Sequence, residues 1–444
     1  MIEGLSIIAI SLVVLFSGMP LAFAFGVAGV ICAFVFHSAG PMGMLAHVMY
    51  GGVNSFELLT LPLFILMGIV LAHSPAGNDL YEAAHRFLVR LPGSLAISNV
   101  WACAVFAAMC GSSPATAAAI GSSGIPEMRK RGVPDSLATG CIVGGGTLGI
   151  LIPPSITFII YGIATETSIG KLFIAGIIPG IVITLLFSLW ILIYSTMVRR
   201  KQGDGDKPGP GTKVTETRYS WGQKVSYLPR ILPFVLLIAL IMVTIYGGIA
   251  TPSEAAAIGA ASSILLVLTV YRKTLTLQSI VTILQKTVNE SAMIMLIAAT
   301  TVFFQSVLTD LAVTQQAVAA IVSMQSNPWV IMLLINLLLL LLGCFLPPFA
   351  IILLTAPLLH PIILKLGFDP VWFGVVVTIN MEAGCITPPF GINLYVVKSI
   401  APDVPMARIL LGSMPFLAIL LLGILIVSLF PELALWLPGR MFGR

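Results

Sequence analysis

Between Glu3 and Glu57 this chain carries no charged side chain, and between Asp310 and Lys365 it again carries none. Each interval exceeds fifty residues, while about 20 apolar residues already span a bilayer. Buried helices of soluble domains do not need such runs, so the chain is expected to cross a membrane many times. Composition agrees: 58% of its 444 residues are hydrophobic and 9% are charged, against about 25% charged in an ordinary soluble domain. A cytosolic enzyme, a nucleic-acid binder and a secreted disulfide scaffold are thereby excluded. The net charge of +5 needs no anionic partner, because basic residues of membrane proteins gather in cytoplasmic loops.

The six cysteines, Cys32, Cys103, Cys110, Cys141, Cys344 and Cys385, lie in apolar segments without a C-x-x-C pair and are expected to pack rather than react. The five histidines are scattered, and the sequence holds no H-E-x-x-H, G-x-S-x-G or Walker motif. The N-terminus enters an apolar segment without a basic region or a small-residue cleavage site, so it is expected to be retained.

Glycine, proline and charge punctuation predict crossings at about 2–18, 20–37, 57–73, 134–164, 171–198, 229–249, 252–271, 288–309, 370–398 and 407–430. Two further apolar stretches, 95–128 and 329–363, are interrupted near their middles by Gly111-Ser112-Ser113-Pro114 and by Gly343 to Pro348. They read as re-entrant hairpins more naturally than as kinked crossings. On that reading 18 of the 22 basic residues fall on one face and only Lys171, Lys365, Arg440 and Arg444 on the other. The positive-inside rule then places both termini outside.

Residues 201–224 form the one long polar stretch, which predicts a first repeat over 1–200, a cytoplasmic linker over 201–228 and a second repeat over 229–444. A shift of 235 residues brings Pro126, Lys130, Gly132, Gly149, Pro153 and Pro154 onto Pro361, Lys365, Gly367, Gly384, Pro388 and Pro389. Five crossings and one hairpin per repeat make the second copy upside down, an all-α polytopic plan of two inverted-topology repeats, each with one broken helix.

Chemistry is expected at the four Gly/Pro/Ser/Thr-dense breaks: Gly111 to Thr116, Gly144 to Ser155, Gly343 to Phe349 and Glu382 to Pro389. Glycine tolerates unwound backbone and proline lacks a donor, so helices stop and restart there. Freed carbonyls and hydroxyls suit Na⁺, while half-helix N-termini suit an anion. Close helix packing is the competing explanation, favoured for Ala115 to Ala119 and Gly121. Glu382, beside one break, either serves function or caps freed amides, whereas Glu254 at a helix start is expected to be structural.

These residues resemble the large membrane subunit of tripartite ATP-independent periplasmic (TRAP) transporters over almost the whole chain. The resemblance rests on Gly18-Met19-Pro20, Gly111-Ser112-Ser113-Pro114-Ala115-Thr116, Ile152-Pro153-Pro154-Ser155, Thr251-Pro252-Ser253-Glu254 and Thr387-Pro388-Pro389-Phe390-Gly391-Ile392-Asn393. It implies a Na⁺-driven importer of a small carboxylate in the inner membrane, working as an elevator in which a transport domain slides against a scaffold. It also implies a small four-helix membrane subunit and a periplasmic substrate-binding protein as partners.

By motif, the resemblance places one Na⁺ site at Ser112, Ser113, Gly146 and Gly149, a second at Gly343, Gly384 and Thr387, and substrate contacts at Thr116, Pro154, Ser155, Pro389 and Asn393. Thr116 and Pro347 stand where many members carry Asp. A stand-alone organic-anion symporter or Na⁺/H⁺ exchanger of inverted-repeat design is the alternative. A membrane-embedded enzyme on a lipid-linked substrate is the rival from another class, for which convergent His/Asp/Glu or a Ser–His pair is not evident.

Overall fold

Helix starts in this chain are written locally. Proline occupies the opening positions at Pro252, Pro328, Pro348 and Pro370, where its missing N–H costs nothing. Thr251 and Glu254 close a reciprocal capping box, with Glu254 N–H donating to Thr251 Oγ1 at 3.3 Å and Thr251 N–H donating to Glu254 Oε2 at 2.8 Å. Glu254 is thus structural, as the sequence leads one to expect. Asp369 accepts from the backbone N–H groups of Val371 and Trp372 in the same capacity.

The computed structural model describes residues 2–15, 17–36, 41–201, 219–272, 276–313, 315–316, 318–319 and 326–442. Helix is the only regular secondary structure among them, with no strand. The first half contains α1 (Ile2–Leu15), α2 (Leu21–Phe36), α3 (Pro41–Val53), α4 (Thr60–Ala72), α5 (Ala76–Leu88), α6 (Ser94–Cys110), α7 (Ser113–Lys130), α8 (Asp135–Thr147), α9 (Ile156–Thr165) and α10 (Ile169–Lys201). The second contains α11 (Trp221–Val225), α12 (Leu228–Tyr246), α13 (Pro252–Val270), α14 (Leu277–Asp310), α15 (Pro328–Gly343), α16 (Pro348–Lys365), α17 (Pro370–Ile386), α18 (Ile392–Ile400), α19 (Met406–Leu429) and α20 (Glu432–Phe442). Six of these helices are long and apolar enough to cross a bilayer, or seven if the pair bent by 55° over 45–72 is one span. The chain is therefore a multi-pass membrane protein.

Every expected crossing falls on helix, and both central interruptions are real breaks, between α6 and α7 and between α15 and α16. The expected crossings at 134–164 and 370–398 are broken helices, α8 with α9 and α17 with α18. Four of the numbered helices lie outside the expected segments: α3, the amphipathic α5, the short α11 and the terminal α20. Helix α14 also starts eleven residues before the expected 288. Most of the expected linker, 202–218, lies outside the described residues; its end is folded, with Ser220 and Gln223 capping α11 reciprocally.

Two groups of helices pack among themselves. Helices α2, α3, α4, α13 and α14 form one, and α6 to α9 with α16 to α19 form the other. Apolar burial contributes little to helix association in lipid, so close backbone approach has to hold such a body together. Gly140 of α8 and Gly412 of α19 supply it: a Cβ on Gly140 would lie 2.1 Å from the Gly412 carbonyl oxygen.

Candidate functional site

The first break is built on Gly111, whose φ of +63° ends α6 in the left-handed region that glycine adopts without strain. Ser112 follows in extended conformation and Ser113 starts α7. Across the break the Gly111 carbonyl accepts a hydrogen bond from Ile156 N–H at 3.4 Å, joining this tip to the start of α9. The turn between α8 and α9 comes equally close from the other side, since a Cβ on Gly149 would meet the Ser112 carbonyl oxygen at 2.5 Å and Thr116 Oγ1 at 2.8 Å. Thr116 Oγ1 donates to the Ser112 carbonyl at 2.8 Å.

The second break repeats this arrangement. The Cys344 carbonyl accepts from Phe390 N–H at 3.3 Å, joining the α15–α16 tip to the α17–α18 turn. A Cβ on Gly384 would meet Gly343 Cα at 2.7 Å and its carbonyl oxygen at 2.9 Å. Thr387 Oγ1 donates to the Ala383 carbonyl at 2.6 Å, which leaves its lone pairs open. Both Pro-Pro bonds, Pro153-Pro154 and Pro388-Pro389, are cis.

A side chain from the second half ties the two together. Asn393, fully buried on α18, donates through Nδ2 to Ser113 Oγ at 2.7 Å and to the Val143 carbonyl at 3.2 Å, while its Oδ1 has no partner among the described residues. Glu382 is also fully buried, and neither carboxylate oxygen has a hydrogen-bond partner among the described residues. A bare ionised carboxylate in such surroundings is strongly disfavoured.

Both tips open onto a cavity of about 850 Å³. Ser112 and Ser113 line it from one side, Pro347 to Phe349 from another, and α4 and α14 form the facing wall. Thr116, Pro154, Ser155 and Asn393 are buried behind this surface, which their neighbours Ala115, Ile156 and Ile392 reach, and Pro389 is exposed but does not line it. The Ser155 hydroxyl is committed to structure, donating to the Ile150 carbonyl and accepting from Phe158 N–H at the start of α9. Sequence reasoning missed three wall residues, His73, Lys286 and Glu290. An acid within an apolar span was the available signal for Glu290.

The donor set suits Na⁺. Hydroxyl and carbonyl oxygens lie at each break, with the Glu382 carboxylate beside the second, a mostly neutral hard-oxygen environment of the kind a monovalent cation takes. Gly146 packs closely against α7, its Cβ position lying 2.7 Å from Ala117 Cβ.

Residues 8–433 match the family described as "Tripartite ATP-independent periplasmic transporter, DctM component". The chain is 36% identical over 415 residues to the C4-dicarboxylate TRAP transporter large permease protein DctM of Pseudomonas aeruginosa, covering 93% of each chain. It is 33% identical over 429 residues to the sialic acid TRAP transporter large permease protein SiaM of Vibrio cholerae, covering 97% of each. The Alcanivorax borkumensis YdaH transporter shares the fold, with a TM-score of 0.61 over 98% of both chains at 16% identity. A chain of this length and helix order, matched almost end to end by transport permeases rather than by enzymes, belongs to the DctM family of TRAP transporter large permeases.

Proposed function

We propose that the protein is a sodium-coupled importer subunit that moves a small carboxylate across the inner membrane by an elevator motion, fed by a periplasmic substrate-binding protein and seated beside a small four-helix membrane subunit. The observation that carries this reading is the doubled break: Gly111 O to Ile156 N and Cys344 O to Phe390 N are equivalent bonds 233 to 234 positions apart. The sequence repeat supports it, since Pro126 and Pro361 fall in α7 and α16, and Pro179 and Pro415 in α10 and α19. Residues 1–200 and 229–444 are then two inverted repeats joined by a cytoplasmic linker over 201–228.

One Na⁺ would be held by Ser112, Ser113, Gly146 and Gly149, and another by Gly343, Gly384 and Thr387. Bound there, the ions supply positive charge beside the cavity. Asn393 orients Ser113, and Thr116 fixes the Ser112 carbonyl. The substrate carboxylate would sit against the tips, near the positive N-terminal ends of α7 and α16. The group of α6 to α9 and α16 to α19 would travel against α2 to α4 and α12 to α14.

The test is uptake of radiolabelled organic acids into liposomes holding this chain and the small subunit, with the binding protein outside. Uptake should require all three proteins and an inward Na⁺ gradient. Full-rate uptake by this chain alone would favour the stand-alone symporter, and uptake that follows a proton gradient instead would shift coupling to Glu382.

A further inference from the structure

The facing wall of the cavity carries its own charges. His73 Nδ1 lies 2.9 Å from the Ile69 carbonyl, which can only accept, so Nδ1 bears the proton and Nε2 the lone pair. Lys286 Nζ donates to that Nε2 at 3.1 Å. Glu290 stands one turn along α14 from Lys286, a separation at which side chains meet, yet among the described residues the two form no ion pair within 4 Å and the carboxylate has no hydrogen-bond partner. The order Lys then Glu is the less favourable one for such a pair on a helix, and His73 draws the ammonium aside. His73, Lys286 and Glu290 are the only histidine or charged side chains on the cavity surface among the described residues.

We propose that Lys286, positioned by His73, and Glu290 form a two-pole subsite that selects a zwitterion, a solute with a cationic group as well as a carboxylate. The inference rests on the transport reading and refines its substrate class. Lys286 keeps two N–H groups for a carboxylate, and Glu290 meets a cation about one helical turn away, a spacing that suits a compact amino acid with its charges separated by a few carbons. A second carboxylate at that pole would face Glu290 and be repelled. Selection would then lie partly in this chain rather than wholly in the binding protein.

The probes are γ-aminobutyrate, succinate and butyrate, which share a four-carbon spine and differ at one end. Binding is read as thermal stabilisation of the chain with its small subunit in nanodiscs, with and without Na⁺. Wild-type protein should prefer γ-aminobutyrate to succinate by about tenfold or more, as expected for like charges brought together. Glu290→Gln should erase that preference while keeping succinate binding, and Lys286→Gln should weaken all three. Both variants should melt like wild type without ligand, since both side chains face the open cavity. A wild-type preference for succinate, or one unchanged by Glu290→Gln, would overturn the subsite and leave the transporter standing. Absence of Na⁺-dependent binding for every acid would overturn both.

Discussion

Gly149 and Gly384 have no room for one more carbon. A Cβ on Gly149 would press on the Ser112 carbonyl and Thr116 Oγ1, and one on Gly384 would press on the Gly343 backbone. Neither obstacle is the free end of a flexible side chain, so the backbone of the proposed cation sites must move. Overpacking of this kind costs about 1–3 kcal/mol, equivalent to roughly five- to 150-fold in affinity. Gly149→Ala and Gly384→Ala should therefore raise the Na⁺ needed for half-maximal uptake by at least about fivefold. Gly51→Ala is the control, because nothing lies within 4 Å of its Cβ position and alanine favours helix by up to about 1 kcal/mol. It should leave uptake unchanged. Ser112→Ala and Thr387→Ala remove one neutral oxygen each from carbonyl-rich sets, so the same assay should show weakened rather than abolished Na⁺ dependence. Equal Na⁺ dependence across all five proteins would remove the two cation sites.

At the scale of elements, α5 shows what polar character hides. It packs beside α6 and α7, and its His85 is fully buried with Nε2 accepting from Arg131 at 3.1 Å. Burial, and next the Arg131 charge, hold this imidazole below its ordinary range. The unfolded chain thus binds a proton at a higher pH than the folded one, so stability falls as the pH drops below about 6.5. The melting temperature in detergent should decline between pH 7.5 and 5.5, and His85→Gln, which keeps an acceptor for Arg131, should flatten that decline. Thr251→Ala should lower the melting temperature at every pH, since losing a helix cap costs about 1 kcal/mol. The sequence made the apolar helices and all four breaks legible because hydropathy and the Gly/Pro interruptions report them directly. It concealed α5, whose Asp79, Glu82, His85 and Arg86 look like a loop to a hydropathy reading. For the same reason it concealed the first three turns of α14, where Gln278 and Lys286 sit. The cavity wall went unseen with them, because a charged residue facing a cavity and one facing a loop read alike until the opposite wall is in place.

For the whole molecule the open quantity is orientation, and basic residues decide it. Arg129 at the end of α7 bridges Asp135 at the start of α8, at 2.9 Å, and Asp403 in the turn before α19. Arg408 lies 3.9 Å from Asp135. The Arg129 guanidinium holds the Asp403 carboxyl below its usual range. One end of the bundle thus gathers Arg129, Arg131, Lys398 and Arg408 around two turns, α7–α8 and α18–α19, whereas the turn between α9 and α10 offers only Lys171. A bilayer that keeps lysine and arginine on the cytoplasmic side orients such a body strongly, and short loops make the bias effective. The Arg129 end should therefore face the cytoplasm, with Lys171 and both termini on the periplasmic side. Single cysteines at Lys130 and Ser168, in a chain cleared of its native six, would report this in intact cells through a membrane-impermeant maleimide. Both positions are exposed, so accessibility depends on sidedness alone. Ser168→Cys should label from outside and Lys130→Cys only after permeabilisation; the reverse pattern would invert the molecule and with it the direction in which the cavity delivers its solute.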